Sequence, residues 1–243
     1  MFGRKTIYTG SSKYGSYKIV EGSYNGRQAR VLYGANRTPQ SGKALDDNPE
    51  LLFNYNQRFL EIIASIQPER LLVIGGGVMM LPIAVHERFS KTVIDVVEID
   101  ELLIELAYEH FDAPKDTRLQ TYVKDGKDFV KNTTQRYDAI ILDAFSGHDI
   151  PKHLLETAMT DLYAQHLNEG GVLAINLISA VQSNRPRLVA EVLHTLSESF
   201  KYTAVFQADT NESLRDEQNL VLVAATHPID FDYIQSIDVR DKI

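Results

Sequence analysis

The sequence predicts an α/β protein with a Rossmann-like domain, in which a mostly parallel β-sheet carries helices on both faces. Short apolar runs alternate with segments of helical spacing, and three consecutive glycines follow the first of these runs. This alternation indicates parallel strands, because each crossover helix returns the chain to the same end of the sheet. Two apolar runs near the C-terminus have no helical spacing between them, which predicts that the sheet ends in an antiparallel hairpin.

Residues 1–46 differ in composition from the rest and are predicted to form a small N-terminal β appendage. Tyr, Gly, Ser, Asn and Arg dominate there, and the turn signal Asn25-Gly26 separates two β-rich runs at residues 17–21 and 29–33. Asn-Gly favours a two-residue hairpin turn because both residues tolerate a positive φ. We expect a hairpin in this appendage and a Rossmann-like nucleoside-binding domain over residues 47–243.

The main domain begins with a segment of helical spacing and continues as alternating strands and helices. From Asp47 the apolar residues recur at three- and four-residue steps until Pro68, which predicts an amphipathic helix. The predicted strands are residues 71–74, 93–97, 119–123, 139–142 and 172–176, with a closing hairpin from residues 202–207 and 220–225. The predicted helices are residues 79–89, 101–110, 126–132, 152–166 and 186–198.

Composition and charge exclude several classes of function. The chain contains no cysteine, which excludes thiolate metal sites and cysteine nucleophiles, and its histidines show no metal-binding spacing. The formal net charge of −8 argues against a broad contact with nucleic acid or anionic lipid. No apolar run reaches the roughly 18 residues of a membrane span, and residues 1–10 lack the apolar core of a secretory signal. We therefore expect a cytoplasmic protein without a metal, a nucleic-acid partner or a membrane.

The strongest local signal is the predicted strand at residues 71–74, which runs directly into Gly75, Gly76 and Gly77 before a helix. Glycines lack a Cβ, so the backbone there can turn sharply and approach a ligand at the N-terminus of the helix. A tight turn without a ligand explains the same residues. The glycine loop is therefore a candidate cofactor-binding site that needs support from neighbouring strand ends.

An acidic residue, Glu98, ends the next predicted strand, about 20 positions after the glycines. A carboxylate at this place can accept hydrogen bonds from both hydroxyls of a ribose, as in nucleoside-binding Rossmann folds. Asp100 follows two residues later, and we interpret it as the N-cap of the next helix rather than as a ligand contact.

Asp125 and Gly126 follow the third predicted strand of the domain, again just before a helix. An Asp here can accept a hydrogen bond from the exocyclic amine of adenine, although a helix cap is the alternative interpretation. Because the carboxyl ends of parallel strands meet at one edge, Glu98, Asp125 and the glycines are expected to converge on one crevice. The sequence therefore predicts an adenosine-binding site.

Asp143 ends the fourth predicted strand, next to the place where the reactive end of such a ligand would lie. A carboxylate here can hold an incoming amine and accept its proton. A loop-capping Asp is the alternative.

Together these stretches resemble the spermidine synthase (polyamine aminopropyltransferase) family and its spermidine-synthase-like branch, whose fold is the class I S-adenosylmethionine-dependent methyltransferase fold. The resemblance covers roughly residues 30–180, and residues 150–155 and 170–176 are among its most specific parts. Gln40 lies where that family carries a Gln ahead of its first long helix. The resemblance implies that the donor, decarboxylated S-adenosylmethionine or S-adenosylmethionine, is bound by Gln40, Gly75, Gly76, Gly77, Glu98, Asp125 and Gly126. It also implies that Asp143 is the base or the amine holder.

The sequence departs from the family on the acceptor side. The family usually has Asp directly after the glycines, where this chain has Val78. The catalytic Tyr of the entrance helix corresponds to Phe53, or to Tyr55 if the register shifts, and Ser146 or Asp149 would replace a second acidic residue. A diamine is a cation, and losing one buried charge partner costs about 3 kcal/mol or more. The acceptor is therefore expected to be less cationic than a simple diamine.

We expect a transferase that passes an aminopropyl group to a small-molecule amine or another acceptor. The alternatives are an S-adenosylmethionine-dependent methyltransferase and a non-catalytic nucleoside-binding module, since a fold does not fix a function. The resemblance also suggests a homodimer formed through the N-terminal hairpin.

Overall fold

The computed structural model describes residues 3–48, 50–147, 149–182 and 187–228. Within these ranges the chain forms two β-sheets, of four and seven strands, together with α-helices that cover both faces of the larger sheet. The predicted α/β architecture is confirmed. The two predicted domain ranges reach residues 1 and 243, which lie outside the described residues.

The smaller sheet is N-terminal and fully antiparallel. It contains β1 (Lys5–Ser11), β2 (Ser16–Tyr24), β3 (Arg27–Tyr33) and β4 (Pro39–Ala44), in that order across the sheet. The predicted hairpin is β2 and β3, and its turn residues Asn25 and Gly26 have φ of 47° and 80°. The sequence analysis misses β1 and β4, because most of their side chains are exposed or half-buried and lack an apolar alternation. The appendage is thus a four-stranded sheet and not a hairpin alone.

The larger sheet contains β5 (Arg70–Ile74), β6 (Val93–Glu98), β7 (Leu119–Val123), β8 (Tyr137–Leu142), β9 (Leu167–Ser179), β10 (Tyr202–Gln207) and β11 (Gln218–Ala225). Their order across the sheet is β10-β11-β9-β8-β5-β6-β7. The strands from β5 to β9 are parallel, and β11 is antiparallel to both β9 and β10, as predicted. The chain order reverses between β5 and β8, and at such switch points ligands bind beyond the carboxyl ends of the strands.

The helices divide between the two faces of the larger sheet. The first face carries α1 (Asn54–Ile66), α2 (Met80–Arg88) and α3 (Glu101–His110), and the second carries α4 (Gly126–Asn132), α5 (Thr157–His166) and α6 (Arg187–Ser199). Tyr17, Ile19 and Leu32 of the smaller sheet belong to the buried cluster of the first face. The smaller sheet therefore shares a core with the main domain, and the division at residue 46 stays a prediction. No helix in the described ranges combines the length and the apolar character needed to cross a membrane.

The first helix starts later than the sequence pattern predicts, at Asn54 instead of near Asp47. The guanidinium group of Arg27 donates to the backbone carbonyls of Asn48 (2.7 Å) and Glu50 (2.9 Å). Carbonyls bound in this way do not accept helical hydrogen bonds, so a contact between distant residues overrides the local spacing.

The predicted helix at residues 152–166 is divided. A short 3-10 turn (Lys152–Leu154) precedes α5, and Glu156 between them has an extended backbone with φ of −64° and ψ of 148°. Leu154 is buried in the second-face core. This turn places His153 against Asp125, at the end of β7.

Candidate active site

The glycine loop connects β5 to α2 and lies against the end of β8. Gly75 and Gly77 have φ of 87° and 51°, a region that favours glycine. A Cβ on Gly75 would collide with the backbone carbonyl of Asp143, whereas a Cβ on Gly77 would meet nothing within 4 Å. Close packing therefore explains Gly75. Gly77 instead borders open space, and its N–H group faces the end of β6.

Glu98 is buried at the end of β6 and its carboxylate is held by backbone donors. Its Oε2 accepts from the N–H of Gly77 at 2.8 Å, and its Oε1 accepts from the N–H of Asp100 at 3.0 Å. Burial raises the pKa of Glu98, and these backbone hydrogen bonds act in the opposite direction. The structure thus joins the glycine loop and the predicted ribose-binding carboxylate.

Asp100 is the N-cap of α3, as predicted, because its Oδ1 accepts from the N–H of Leu102 at 3.1 Å. Its Oδ2 also accepts from two hydroxyl groups of the N-terminal region, those of Ser12 (2.5 Å) in the turn between β1 and β2 and of Tyr17 (2.8 Å) on β2. These two bonds connect the smaller sheet to the strand end that carries Glu98.

Asp125 caps α4 by accepting from the N–H of Lys127 at 2.8 Å, and its Oδ2 lies 3.1 Å from Nε2 of His153. The helix-cap interpretation is therefore confirmed. The contact of Asp125 with adenine stays a prediction. A Cβ on Gly126 would press against the side chain of Ile74, so this glycine allows α4 to approach the end of β5. The Asp-Gly pair lies close to the strand that leads into the glycine loop.

Asp143 leaves β8 at the same edge, and its N–H donates to the carbonyl of Ile74 at 2.8 Å. Its Oδ1 accepts from Nδ2 of Asn176 at 2.8 Å. Burial raises the pKa of Asp143 to about 7, the bond from Asn176 lowers it, and repulsion from Glu98 raises it further. A carboxyl group with a pKa near neutrality is suited to exchange a proton with a substrate.

Asn176 is a site residue that the sequence analysis does not identify. It is a buried residue of β9 with 1% exposure, surrounded in the sequence by apolar positions. A polar residue inside such a run is the signal that could have found it, because a buried polar side chain needs a partner.

Tyr55 lies at the start of α1, and the charge of Asp143 affects the pKa of its hydroxyl. Burial, followed by repulsion from Asp143, raises the pKa of Tyr55 well above its ordinary value. Its hydroxyl donates to the backbone carbonyl of Gln40 at 3.3 Å, whereas Phe53 stacks on Tyr24 with ring centroids 5.6 Å apart. Of the two candidate positions, Tyr55 is therefore the one whose pKa responds to the charge of Asp143, and its role at the site stays a prediction. Gln40 is exposed on β4, and its contact with a donor stays a prediction.

The residues after the glycines point into the core. Val78, Met79 and Met80 are buried and belong to the first-face cluster. Ser146, just beyond Asp143, uses its backbone in a bridge to Asp149, with a 2.8 Å bond from its N–H to the Asp149 carbonyl. Val78 and Ser146 carry no carboxylate, and the backbone bond between Ser146 and Asp149 does not involve Asp143.

A cavity of about 270 Å³ opens beside Tyr55. Its wall includes Ile178 from the end of β9 and residues of the loop between β10 and β11. Three carboxylates, those of Asp209, Glu212 and Glu217, line it. The described part of the chain contains no group of three or more His, Asp or Glu residues placed to hold a metal ion.

The sheet topology, the glycine loop and the acidic strand ends define a Rossmann-like fold, and similarity to known proteins gives the family. A model of the spermine/spermidine synthase domain matches residues 57–227. The chain belongs to the spermine/spermidine synthase family.

Individual relatives agree with this assignment. A polyamine aminopropyltransferase of Vibrio vulnificus (strain CMCP6) is 36% identical over 123 residues, which are 49% of this chain and 40% of that protein. This chain therefore spans less than half the length of that relative. The crystal structure of a probable spermidine synthase from Corynebacterium glutamicum ATCC 13032 shares the fold, with a TM-score of 0.80 and 21% identity over 92% of this chain and 81% of that one.

A methyltransferase is also similar. The crystal structure of human methyltransferase-like protein 13 in complex with SAH has a TM-score of 0.61 and 25% identity, and the match covers 72% of this chain and 83% of that one. The proteins similar to this chain thus include a polyamine aminopropyltransferase and a methyltransferase-like protein.

Proposed function

We propose that this protein transfers an alkyl group from an S-adenosyl sulfonium donor to the nitrogen of an amine. The observation that carries the proposal is the carboxyl group of Asp143, with a pKa raised to about 7, at the edge shared by the glycine loop and Glu98. An amine in water is mostly an ammonium ion, and it must lose a proton before its lone pair can attack. Membership of the spermine/spermidine synthase family supports this class of reaction.

The residues around Glu98 fit the nucleoside part of such a donor. Beyond its two backbone hydrogen bonds, the Glu98 carboxylate has lone pairs left to accept from ribose hydroxyls. Gly77 leaves open space next to it, where a side chain would otherwise stand. Asp125 and Gly126 would contact the base, and Gln40 would complete the donor site.

The chemistry then divides between the donor and the acceptor residues. When bound, the donor supplies a carbon atom made electrophilic by the neighbouring positive sulfur. Asp143 accepts the proton of the ammonium ion and positions the neutral nitrogen. After burial, the charge of Asp143 contributes to the raised pKa of Tyr55, and on this proposal the Tyr55 hydroxyl would help to orient the nitrogen.

The first candidate reaction is aminopropyl transfer from decarboxylated S-adenosylmethionine to a small-molecule amine. Similarity to the Vibrio enzyme supports it. The second candidate is methyl transfer from S-adenosylmethionine, and Val78 favours it. S-adenosylmethionine carries a carboxylate that an Asp after the glycines would repel, and Val78 has no charge. Similarity to human methyltransferase-like protein 13 supports this second reaction.

The experiment incubates the purified protein with each donor and a panel of primary amines, and separates the products by chromatography. Release of methylthioadenosine identifies aminopropyl transfer, and release of S-adenosylhomocysteine identifies methyl transfer. Asp143→Asn should slow either release by about 1,000-fold, whereas Asp128→Asn, at an exposed carboxylate on α4, should leave it unchanged. Release of neither product with any amine would contradict the proposal, and binding of either product without turnover would then favour the non-catalytic module.

A further inference from the structure

His153 lies on the 3-10 turn between β8 and α5, and its side chain reaches Asp125, just beyond the end of β7. Its Nε2 is 3.1 Å from Oδ2 of Asp125. The next residue, Leu154, is buried in the second-face core, and a Cβ on Gly126 would lie 3.4 Å from its side chain. The turn thus packs directly against the start of α4, and this packing places His153 beside Asp125.

Two donors from separate elements fix the plane of the Asp125 carboxylate. A carboxylate only accepts hydrogen bonds, so Nε2 of His153 carries the proton that faces Oδ2. Oδ1 accepts from the N–H of Lys127 at 2.8 Å. Each oxygen then has one donor and keeps a second lone pair, because an ionised carboxylate offers about four acceptor positions. Asp125 is therefore held in one orientation while it can still accept from a ligand.

Stability alone does not explain this contact. The side chains of His153 and Asp125 are 39% and 29% exposed, and ion pairs at such exposure add little to stability because water competes for both partners. The same segment is also attached to α4 by the packing of Leu154 and by an ion pair of 3.1 Å between Lys127 and Glu156. What His153 adds to these attachments is the direction of the Asp125 carboxylate.

The surface beside Asp125 suits the flat ring of a base. Glu98 and Val123 are opposite each other in β6 and β7, and Asp125 follows two positions after Val123. Val123 is 48% exposed and Ile99, which follows Glu98, is 37% exposed, and both line a cavity of about 310 Å³. Exposed apolar side chains at neighbouring strand ends offer a face to a ring, and the carboxylates on either side accept from its polar groups. A base whose ribose is bound by Glu98 would thus reach Asp125 with its outer edge.

We propose that His153 is a positioning residue that holds the Asp125 carboxylate towards the exocyclic amine of the base, and that it thereby sets the preference of the donor site for a 6-aminopurine over a 6-oxopurine. The inference rests on the proposed function, in which Asp125 contacts the base of the donor. It gives a role to a residue outside the strand ends that carry the glycines, Glu98 and Asp125.

The preference follows from the hydrogen-bonding groups of the two rings. The amine of a 6-aminopurine donates to a lone pair that Asp125 keeps, whereas a 6-oxopurine presents a carbonyl oxygen at the same place, which repels the carboxylate. Both effects depend on a carboxylate that points at the ring. Without the Nε2–H group of His153, the carboxylate can rotate to bind water, so it loses the bond to the amine and avoids the carbonyl oxygen. Removal of His153 therefore narrows the difference between the two rings.

The test compares four variants. His153→Leu removes the donor, and His153→Gln keeps an N–H donor at about the place of Nε2. Asp125→Asn removes the carboxylate itself. Glu156→Gln is the matched control, because it breaks the neighbouring ion pair to α4 and leaves the contacts of Asp125 in place. Thermal melting of each variant establishes that it is folded, and His153→Ala replaces His153→Leu if leucine does not fit.

Calorimetry measures the binding of methylthioadenosine and methylthioinosine, and then of S-adenosylhomocysteine and S-inosylhomocysteine, which differ within each pair only in the 6-amino or 6-oxo group. We expect the wild type and Glu156→Gln to bind the adenine compound about 30-fold more tightly, the effect of one charged hydrogen bond. The ratio should fall below about fivefold in His153→Leu and return to within about threefold of wild type in His153→Gln. In the Asp125→Asn background, His153→Leu should leave the ratio unchanged, because His153 acts through that carboxylate.

An adenine preference that does not depend on His153 would overturn the inference. A His153→Leu variant that binds both rings more weakly but keeps the wild-type ratio would show a role in packing alone. Failure of His153→Gln to restore the ratio would show that the Nε2–H group is not the cause. A wild type that binds neither ring, or binds both equally, would overturn the inference as well.

Turnover separates this inference from the proposed function. If transfer occurs, His153→Leu should raise KM for the donor and leave kcat within about twofold of wild type, because His153 acts on donor binding and not on the chemical step. A large loss of kcat would count against the inference. A wild type whose base preference depends on His153 but which transfers nothing would contradict the proposed function and support the inference. Active variants with the wild-type base preference would do the reverse.

Discussion

The two halves of the candidate site are built in different ways. The donor half consists of the glycine loop, Glu98 and the Asp125-Gly126 pair, and its carboxylates are held by backbone N–H groups. The proposed acceptor half consists of Asp143, Asn176 and Tyr55, which come from three separate elements. Asn176 donates a hydrogen bond to Asp143, and burial and then the charge of Asp143 raise the pKa of Tyr55. Backbone N–H donors do not depend on side-chain identity, because the turns at the strand ends orient them. A side-chain partner, in contrast, is changed by a single substitution. The acceptor half is therefore the part of the site where specificity can change without loss of the donor site.

The electrostatics of the two halves differ for the same reason. Burial raises the pKa of both Glu98 and Asp143. For Glu98, backbone hydrogen bonds from Asp100, Gly77 and Ile99 oppose the effect of burial without cancelling it. Asp143 has one opposing bond, from Asn176, and its pKa rises to about 7. Glu98 thus has several backbone donors that favour its ionised form, whereas Asp143 has a single side-chain donor.

The largest expected effect is on the acceptor half. We expect Asp143→Asn to reduce kcat/KM for transfer by about 1,000-fold, since removing a general base typically costs 10²–10⁴-fold. The dissociation constant of methylthioadenosine or S-adenosylhomocysteine should change by less than about twofold, because Asp143 is outside the donor half. Steady-state kinetics and calorimetry measure the two quantities. A large loss of product binding would show that the two halves are not separate.

The second effect is on the donor half. We expect Glu98→Gln to weaken binding of the same products about 30-fold, in line with the loss of a charged hydrogen-bond acceptor. A glutamine side chain has one acceptor oxygen, so it cannot satisfy the N–H groups of both Gly77 and Asp100. The rate at saturating donor should remain within about threefold of wild type. An equal loss in saturating rate would indicate that Glu98 acts in the chemical step.

The third effect is on stability and follows from the raised pKa of Asp143. Its folded pKa of about 7 lies above the ordinary value of 3.8, so the folded state binds the proton more tightly than the unfolded state. This group favours folding at low pH, and that contribution is lost as pH rises through about 7. Between about pH 5.5 and about pH 8, Asp143→Asn should gain roughly 2 kcal/mol of unfolding free energy relative to wild type, at about 1.36 kcal/mol per pKa unit.

Urea unfolding of wild type and variant at both pH values measures this difference. Asp128→Asn serves as the control, because its carboxylate is exposed. A difference between wild type and Asp143→Asn that does not change with pH would mean that Asp143 titrates alike in the folded and unfolded states.

Much of the fold is predictable because its determinants are local. The bounds of α3 and α4 agree with the helical spacing, and each is capped by the Asp that precedes it in the sequence, Asp100 or Asp125. The start of α1 is not predictable in this way. It depends on Arg27 binding the carbonyls of Asn48 and Glu50, which lie 21 and 23 positions further along the chain.

In the candidate site, too, local determinants are predictable from the sequence and long-range contacts are not. The positions of the glycines, Glu98 and Asp143 in the fold can be predicted from the sequence, because each lies at the end of a strand or directly after it. The partnership of Asp143 with Asn176 cannot be, since it joins residues 33 positions apart through the pairing of β8 with β9. The choice between Phe53 and Tyr55 likewise depends on where α1 begins.

The smallest effect concerns the contact between the N-terminal sheet and the donor half. Ser12 and Tyr17 both donate to Oδ2 of Asp100, and the N–H of Asp100 donates to Glu98. We expect Tyr17→Phe to lower the unfolding free energy by about 1 kcal/mol, the net contribution of one hydrogen bond. Ser12→Ala should cost about 1 to 2 kcal/mol, because Ser12 Oγ also accepts from the N–H groups of Tyr14 and Gly15. Product affinity should change by less than about threefold, because Asp100 keeps its capping bond to Leu102.

Tyr33→Phe provides the matched control, because it removes a hydroxyl of the same sheet that accepts from Arg4 at an exposed position. This variant should be within about 0.5 kcal/mol of wild type and bind the products normally. If Ser12→Ala or Tyr17→Phe weakens product binding by about tenfold or more while Tyr33→Phe does not, Asp100 transmits the position of the smaller sheet to Glu98. The donor half would then depend on side-chain contacts between distant residues, as the acceptor half does.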